Sequence, residues 1–347
     1  MSYPQQQNFF MPPEWHPHEC CWMQWPHEIP YKNSYKEIES WSHFDFEKGR
    51  TTWAKVAKAI SNFEKVNMII HPQDIEIAKK YLDNSINIYE FENDDCWARD
   101  SGATFLLDNQ NKLGGVDWEF NGWGKFSPHD SDNKIAKFMI DKSSAKYFKS
   151  SMILEGGSIH VNGTGTLITT EQCLLNKNRN PHLNKKEIED NLKKYLNIKK
   201  IIWLKHGTDE GTDGHVDNIA CFVDERKVLA LACKDKEDPF YDKINENLEI
   251  LKNSVGADGH QLEIIEMEMS YKRLIPNDDE PSSYINFYIA NNGIVMPSFD
   301  DKKADENAQS VIKSLFPKRK IQAINGIDIS LGGGNMHCIT QQQPISI

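Results

Sequence analysis

The chain has 347 residues, 39% of them hydrophobic and 26% charged, with a formal net charge of −11. That length buries a sizeable core as one large domain or two medium ones, and no apolar run approaches the ~18–20 residues a membrane span needs. The acidic balance disfavours nucleic acid, whose phosphates demand a basic surface, and suits a small cationic ligand.

The opening Met1-Ser-Tyr-Pro-Gln-Gln-Gln has neither the basic region nor the apolar stretch of a signal peptide, so a cytoplasmic protein is expected. Seven cysteines, at positions 20, 21, 96, 173, 221, 233 and 338, are odd in number, irregularly spaced and free of any C-x-x-C. This argues against a disulfide framework and against a zinc ribbon.

In chain order, the first strong signal is a helix over residues 52–65, where apolar side chains recur at three- and four-residue spacing. A hairpin follows, with one strand from Arg99-Asp-Ser-Gly through Leu107, a turn at Asp108-Asn-Gln-Asn-Lys and a second strand over 113–120. The next hairpin pairs 158–161 with 166–170 about Asn162-Gly-Thr-Gly, and a helix covers 185–196. A third pairs 218–223 with 228–232 about Asp224-Glu-Arg-Lys, and a helix covers 241–253. Strands at 283–290 and 294–297 flank Asn291-Asn-Gly, a helix covers 304–316, and a final segment begins at Gly332-Gly-Gly-Asn-Met-His-Cys338.

Hairpins with helices between them predict repeated β-β-α modules in one closed α/β domain over residues 1–347, since no Pro- or Ser-rich linker divides the chain. In a closed ring, the polar residues that lead each hairpin converge at the centre. These are Asp95, Trp97, Arg99 and Asp100, then Glu155, then Asp213, His215 and Asp217, and finally Cys338.

Their types point to one chemistry. Strand-like alternation in Gly214-His-Val-Asp puts His215 and Asp217 on one face. Four carboxylates crowd residues 208–217 and repel one another unless they are solvated or meet a metal or a cationic substrate. The chain lacks the H-x-x-x-H or clustered cysteines of a zinc site, so no metal is expected. In Asn93-Asp-Asp-Cys-Trp-Ala-Arg-Asp100, carboxylates that can grip a guanidinium are interleaved with Trp97, whose ring packs on an alkyl chain or planar cation. Three glycines ahead of Cys338 keep side chains away from the sulfur. Together these groups suit attack by a thiolate on the planar, cationic carbon of a guanidinium.

These residues lie in a longer series of motifs. It runs through Met11-Pro-Pro-Glu-Trp-His, Trp22-Met-Gln-Trp-Pro, Asp95-Cys-Trp-Ala-Arg-Asp, Phe120-Asn-Gly-Trp-Gly, Leu154-Glu-Gly-Gly-Ser, Thr170-Glu-Gln-Cys with Arg179-Asn-Pro, Thr212-Asp-Gly-His-Val-Asp-Asn, Ser283-Tyr-Ile-Asn-Phe-Tyr and Gly332-Gly-Gly-Asn-Met-His-Cys. In this order, over nearly the whole chain, the series resembles the agmatine deiminase family, in the peptidylarginine deiminase-like branch of the guanidine-modifying (pentein) superfamily. The resemblance implies a five-bladed α/β propeller with pseudo-fivefold symmetry of ββαβ-type modules. It implies hydrolysis of agmatine to N-carbamoylputrescine and ammonia without metal or organic cofactor, and a homodimer. By motif, Cys338 is the nucleophile, His215 the general acid and base, and Asp95 and Asp217 the guanidinium clamp. Glu155 is a further carboxylate in or just behind the site, Trp97 and Trp123 line the channel for the alkyl chain, and Gly333 leaves room for the head group.

The sequence departs from the family pattern in three places. Glu210 and Gly211 precede Thr212 where the family reads D-D-T-D-G-H, which leaves open whether Asp209, Glu210 or Asp213 receives the distal amine. Ala103 stands in place of a proline, and Met336 in place of an isoleucine of similar volume. The competing expectations are a deiminase of free arginine, which a basic residue at the far end of the pocket would favour, or of peptidyl arginine, and a non-catalytic binder of polyamines or guanidines.

Overall fold

The computed structural model describes residues 2–28, 44–124, 128–274 and 280–347. The strands gather into five separate small sheets. In the first, β1 (His18–Gln24) leads to helix α1 (Phe46–Ser61), and β2 (Lys65–Ile70) and β3 (Ile86–Glu90) follow as parallel strands. In the second, β4 (Thr104–Leu107) is antiparallel to β5 (Leu113–Glu119); helix α2 (Ile135–Lys142) then returns the chain to β6 (Lys146–Ile153), parallel to β5.

The third sheet repeats this with β7 (Ile159–Val161), β8 (Thr166–Thr170), α3 (Lys185–Leu196) and β9 (Lys200–Leu204). The fourth uses β10 (Ala220–Phe222), β11 (Lys227–Ala232), α4 (Tyr241–Lys252) and β12 (Glu263–Glu268). The fifth uses β13 (Tyr288–Ala290), β14 (Gly293–Ser298), α5 (Lys302–Leu315) and β15 (Lys320–Asn325). Finally β16 (Gln341–Pro344) lies antiparallel to β1, with Trp22 opposite Gln341 and His18 opposite Pro344. The first sheet thereby acquires the same plan as the others, an antiparallel pair, a helix and a parallel strand. Five such ββαβ blades form an α/β propeller with pseudo-fivefold symmetry, and both ends of the chain meet in one blade.

Local chemistry accounts for the helices. The Asp45 carboxylate caps α1 by accepting from the backbone N–H groups of Glu47 and Lys48. This starts the helix at Phe46, ahead of the apolar spacing, and its end at Ser61 frees Lys65 to open β2. Helix α3 begins with a reciprocal Asn184–Glu187 capping box and stops at Asn197 in the left-handed region. Trp53, Val56, Ala57 and Ile60 form the buried stripe of α1, and Ile188, Leu192 and Leu196 that of α3. The middle strands are covered on both faces: β8 is buried throughout, and β2 and β11 beyond their first residues. Among the described residues, no helix is long and apolar enough to cross a membrane.

Candidate active site

Each blade delivers its polar residues from the segment just before its first strand. Asp95 to Asp100 precede β4, Glu155 precedes β7, His215 and Asp217 precede β10, and Cys338 precedes β16. Asn286 holds the equivalent place before β13. All of these side chains are buried.

The sulfur of Cys338 accepts from Nδ2 of Asn286 at 3.1 Å and lies 3.5 Å from Oδ2 of Asp217. The Asn286 amide oxygen in turn accepts from the backbone N–H groups of His337 at 2.9 Å and Cys338 at 3.3 Å, so one side chain fixes the loop and the thiol together. Across the centre, the backbone N–H of Arg99 donates to the Cys338 carbonyl at 3.1 Å, tying the short helix Ala98–Ser101 to the same loop. Burial pushes the Cys338 thiol well above its ordinary range, and the charges of Asp217 and Asp100 push it further.

His215 sits among carboxylates. Its Nδ1 is 3.7 Å from Asp100 and its Nε2 is 3.7 Å from Glu155, too far for hydrogen bonds but close enough for strong attraction of a cation. Burial pulls the imidazole down, yet Asp100, Cys173 and Glu155 together raise it well above the usual histidine value. Asp100 is itself pushed up to about 6 by burial, with the Asp217 and Glu155 charges assisting and His215 and the Trp123 indole opposing. Glu155 behaves oppositely: burial works against its charge, but Arg179 and His215 hold it down to about 2. Arg179 bonds Glu155 through Nε at 2.7 Å and Asp213 through Nη1 at 2.7 Å.

The expected strand alternation at His215 and Asp217 is corrected by the structure. Val216–Asn218 is a single 3-10 turn ahead of β10, so period-two geometry is not what brings the pair together. Gly157 does that: a Cβ there would lie 2.6 Å from Nδ1 of His215 and 2.9 Å from both Asp100 Oδ1 and Asp217 Oδ2. At the heart of this cluster, both ring nitrogens of His215 and Oδ1 of Asp217 are buried without a hydrogen-bond partner among the described residues.

The remaining candidates surround it. Asp95 is buried, and its Oδ1 accepts from the Cys96 backbone at 2.7 Å. Trp97 packs edge-on against Trp53 and over Gly334, and Trp123 donates its indole N–H to Asp100 at 2.9 Å. Asp213 is committed to Arg179 and Asn178, whereas Glu210 is exposed, with its backbone N–H on Glu280. Gly333, with Asp209, Asn218, Glu280 and Ser283, lines a cleft beside the Cys338 loop.

Sequence reasoning missed Asn286, His337, Glu14 and Cys173 as parts of the site. Asn286 was within reach, because the rule that hairpin openings converge applies to Ser283-Tyr-Ile-Asn as it does to the others. Two buried trios, Glu155 with Cys173 and His215, and Glu14 with His160 and His337, have the ligand spacing of a metal site. In both, an arginine already sits on the carboxylate, Arg179 on Glu155 and Arg99 on Glu14, and its fixed charge disfavours a divalent metal ion beside it.

Five ββαβ blades with a thiol, a histidine and several carboxylates buried where their leading segments meet are the fold and site of an α/β-propeller hydrolase of amidino C–N bonds. Within that class, the chain belongs to the Porphyromonas-type peptidyl-arginine deiminase family, whose profile matches residues 10–344. It is 40% identical to an agmatine deiminase of Pseudomonas aeruginosa, over 99% of this chain and 97% of the relative. A Medicago truncatula agmatine deiminase is 39% identical over 97% of this chain and 96% of its own. Among solved structures, the agmatine deiminase of Enterococcus faecalis superposes with a TM-score of 0.92 at 34% identity, covering 100% of this chain and 99% of the other.

Proposed function

We propose that the chain hydrolyses agmatine to N-carbamoylputrescine and ammonia through a covalent amidino-cysteine on Cys338. The observation that carries the chemistry is the set of unpartnered buried atoms beside the thiol, Oδ1 of Asp217 and both nitrogens of His215. A planar guanidinium supplies N–H donors for the carboxylate, and attack on its carbon turns one of its nitrogens into an amine whose lone pair can accept from the His215 N–H. The choice of agmatine rests on the relatives bearing that name and on the acidic cleft of Asp209 and Glu280, which suits a distal ammonium better than a carboxylate.

In this reading, Asp95 and Asp217 hold the guanidinium, which makes attack effectively intramolecular. The bound cation offsets the carboxylate charges that keep Cys338 protonated, so the thiol ionises only when substrate is in place, releasing its proton to solvent. The thiolate electron pair forms the S–C bond while the C=N electrons move onto nitrogen. His215, kept protonated by its acidic surroundings, gives its proton to the departing amine; the C–N bond breaks and ammonia leaves. His215 then takes a proton from water, whose oxygen bonds the same carbon. Collapse of that adduct breaks the C–S bond while the hydroxyl proton passes to the departing sulfur, which returns the Cys338 thiol and a neutral ureido product.

Glu155, locked to Arg179, serves by holding His215 in its charged form. Trp97 and Trp123 form the channel walls, and Gly333 leaves the cleft open. Because Asp213 is tied to Arg179, Asp209 or Glu210 is the better partner for the distal amine. A homodimer and cytoplasmic residence complete the proposal, checked by light scattering and cell fractionation. The deciding experiment compares ammonia release from agmatine, free arginine and a blocked arginine peptide. Agmatine is expected to be turned over best, and a preference for either arginine substrate overturns the reading.

A further inference from the structure

His337 precedes the nucleophile, and its side chain lies in a buried set of charges that joins Asp217 to Glu14 near the start of the chain. Its Nδ1 lies 2.9 Å from Oδ2 of Asp217, and its Nε2 lies 2.8 Å from Oε1 of Glu14. An ionised carboxylate only accepts, so two such contacts at opposite ends of one ring require both nitrogens to carry hydrogen. Arg99 completes the set, with Nη1 3.3 Å from Glu14 and Nε on the His337 carbonyl at 3.3 Å. His160 takes the backbone N–H of Phe222 on Nδ1 at 3.2 Å, which leaves its Nε2–H facing Glu14 at 3.5 Å. Glu14 is thus a hub for three donors, and the quartet of Glu14, Asp217, Arg99 and His337 is neutral only when His337 is an imidazolium.

We propose that His337, held by Glu14, is a positioning residue that remains an imidazolium through the catalytic pH range and thereby keeps Asp217 ionised and aimed at the substrate guanidinium. The proposal rests on the reading of Asp217 as a guanidinium clamp. The charge on Asp217 needs such support, because one of its oxygens is buried without a partner and the carboxylate lies beside a thiol. Its other charged and titratable neighbours are His215, Asp100, Cys221 and Arg99, and Cys338 on the loop of His337. Burial alone would drive this carboxylate up; His337, His215 and Arg99 together bring it below its ordinary value. Burial also opposes the His337 charge, as does Arg99, and Glu14 and Asp217 overcome both. An N-terminal residue therefore sets the charge of a group that the chain reaches more than two hundred residues later.

The test uses the full-length protein and two readouts. In the wild type, 15N spectra of the histidine rings are expected to show His337 protonated at both nitrogens from pH 6 to pH 9; a neutral ring at pH 7.5 overturns the proposal whether or not agmatine is the substrate. The second readout is the pH profile of kcat/KM on agmatine. His337→Gln keeps an N–H donor for Asp217 but removes the charge; the burial of Asp217, then opposed only by His215 and Arg99, is expected to raise this carboxylate until it joins Asp100 in the acid limb and moves that limb upward from about pH 6 by about one unit. Adding Glu14→Gln to that variant removes the uncompensated negative charge and is expected to move the limb part of the way back. A profile for His337→Gln that falls in parallel with the wild type at every pH assigns the residue a purely structural role and overturns the charge assignment. If His337→Gln does not fold, the wild-type spectra alone decide. Absence of agmatine turnover by the wild type refutes the substrate reading and leaves the spectroscopic test standing.

Discussion

Trp123 donates its indole N–H to Oδ2 of Asp100 at 2.9 Å from a backbone held in the left-handed region, with φ of 57°. A bulky residue there costs about 1–3 kcal/mol and persists only where its surroundings over-determine it. Gly122 and Gly124 on either side have φ of 63° and 70°, so the strained turn is built around this one indole. Its hydrogen bond favours the charged form of Asp100, opposing the burial that lifts this carboxylate to about 6. Asp100 is in turn the leading attraction holding the proton on His215.

A pH dependence follows with a defined sign. A carboxylate raised to about 6 takes up a proton as pH falls through that value, so kcat/KM on agmatine is expected to decline below about pH 6. Trp123→Phe keeps the ring and removes the donor. Losing a hydrogen bond to a charged group is expected to move this limb upward by about one unit. Steady-state rates from pH 4.5 to 9 check this, and an unmoved limb separates Trp123 from the titration.

The buried thiol predicts selectivity among alkylating agents. Because burial and two carboxylates hold Cys338 well above its ordinary value, neutral iodoacetamide is expected to inactivate the free protein slowly, at a rate still climbing at pH 9. A haloacetamidine of similar size carries the positive charge that the carboxylates attract, and is expected to react about tenfold faster or more at pH 7.5. Cys338→Ser is expected to lower turnover by roughly 10⁴-fold or more. Equal rates for the two reagents would remove the cation from thiol activation.

Arg179 predicts a stability effect. Its guanidinium is fully buried between Glu155 and Asp213. Arg179→Ala leaves buried Glu155 with only His215, at 3.7 Å, to offset its charge, and urea unfolding is expected to show a loss of about 3–5 kcal/mol. The sign for Glu155 is that of a lowered carboxylate: the stability it contributes is present above pH 4.5 and fades as pH falls toward about 2 in the wild type. In the variant, burial of Glu155 is no longer opposed by Arg179, its folded value rises toward or past the unfolded one, and this acid-side fade is expected to shrink or disappear.

The hairpins were legible from sequence because their strands are apolar and bracketed by turn residues. Residues 166–170 and 185–196 coincide with β8 and α3. The third strand of each blade was not legible. Lys146–Ile153 and Glu263–Glu268 lie at sheet edges, with charged side chains outward and few apolar ones inward. The closing strand Gln341–Pro344 is almost wholly polar, and only its pairing with β1 shows why it is buried. Cys338, His215, Asp217 and Glu155 were legible as types that belong together. Asn286 could have been added by the same hairpin rule; Glu14 and His337 could not, because a glutamate and a histidine acquire roles only when the ring brings residues far apart in sequence within 3 Å or so.

The glycines ahead of Cys338 divide into two kinds. Gly333 has φ of 99°, which any side chain resists, but it is exposed on the rim of the cleft. Gly334 is where space is short, since a Cβ there would lie 2.4 Å from the Trp97 ring and 3.0 Å from Cβ of Cys338. Trp97 is buried against Trp53 and has little freedom to retreat. Gly334→Ala is therefore expected to displace the indole or the thiol by some tenths of an ångström to about 1 Å, lowering kcat/KM on agmatine by up to about 10²-fold. The overpacking costs about 1–3 kcal/mol of stability, leaving a folded protein in which the loss is measurable. Gly333→Ala is expected to strain the loop and reduce turnover less. If Gly333→Ala is the more damaging of the two, the loop acts through its backbone conformation, and the approach of Trp97 to the sulfur is not what the glycines protect.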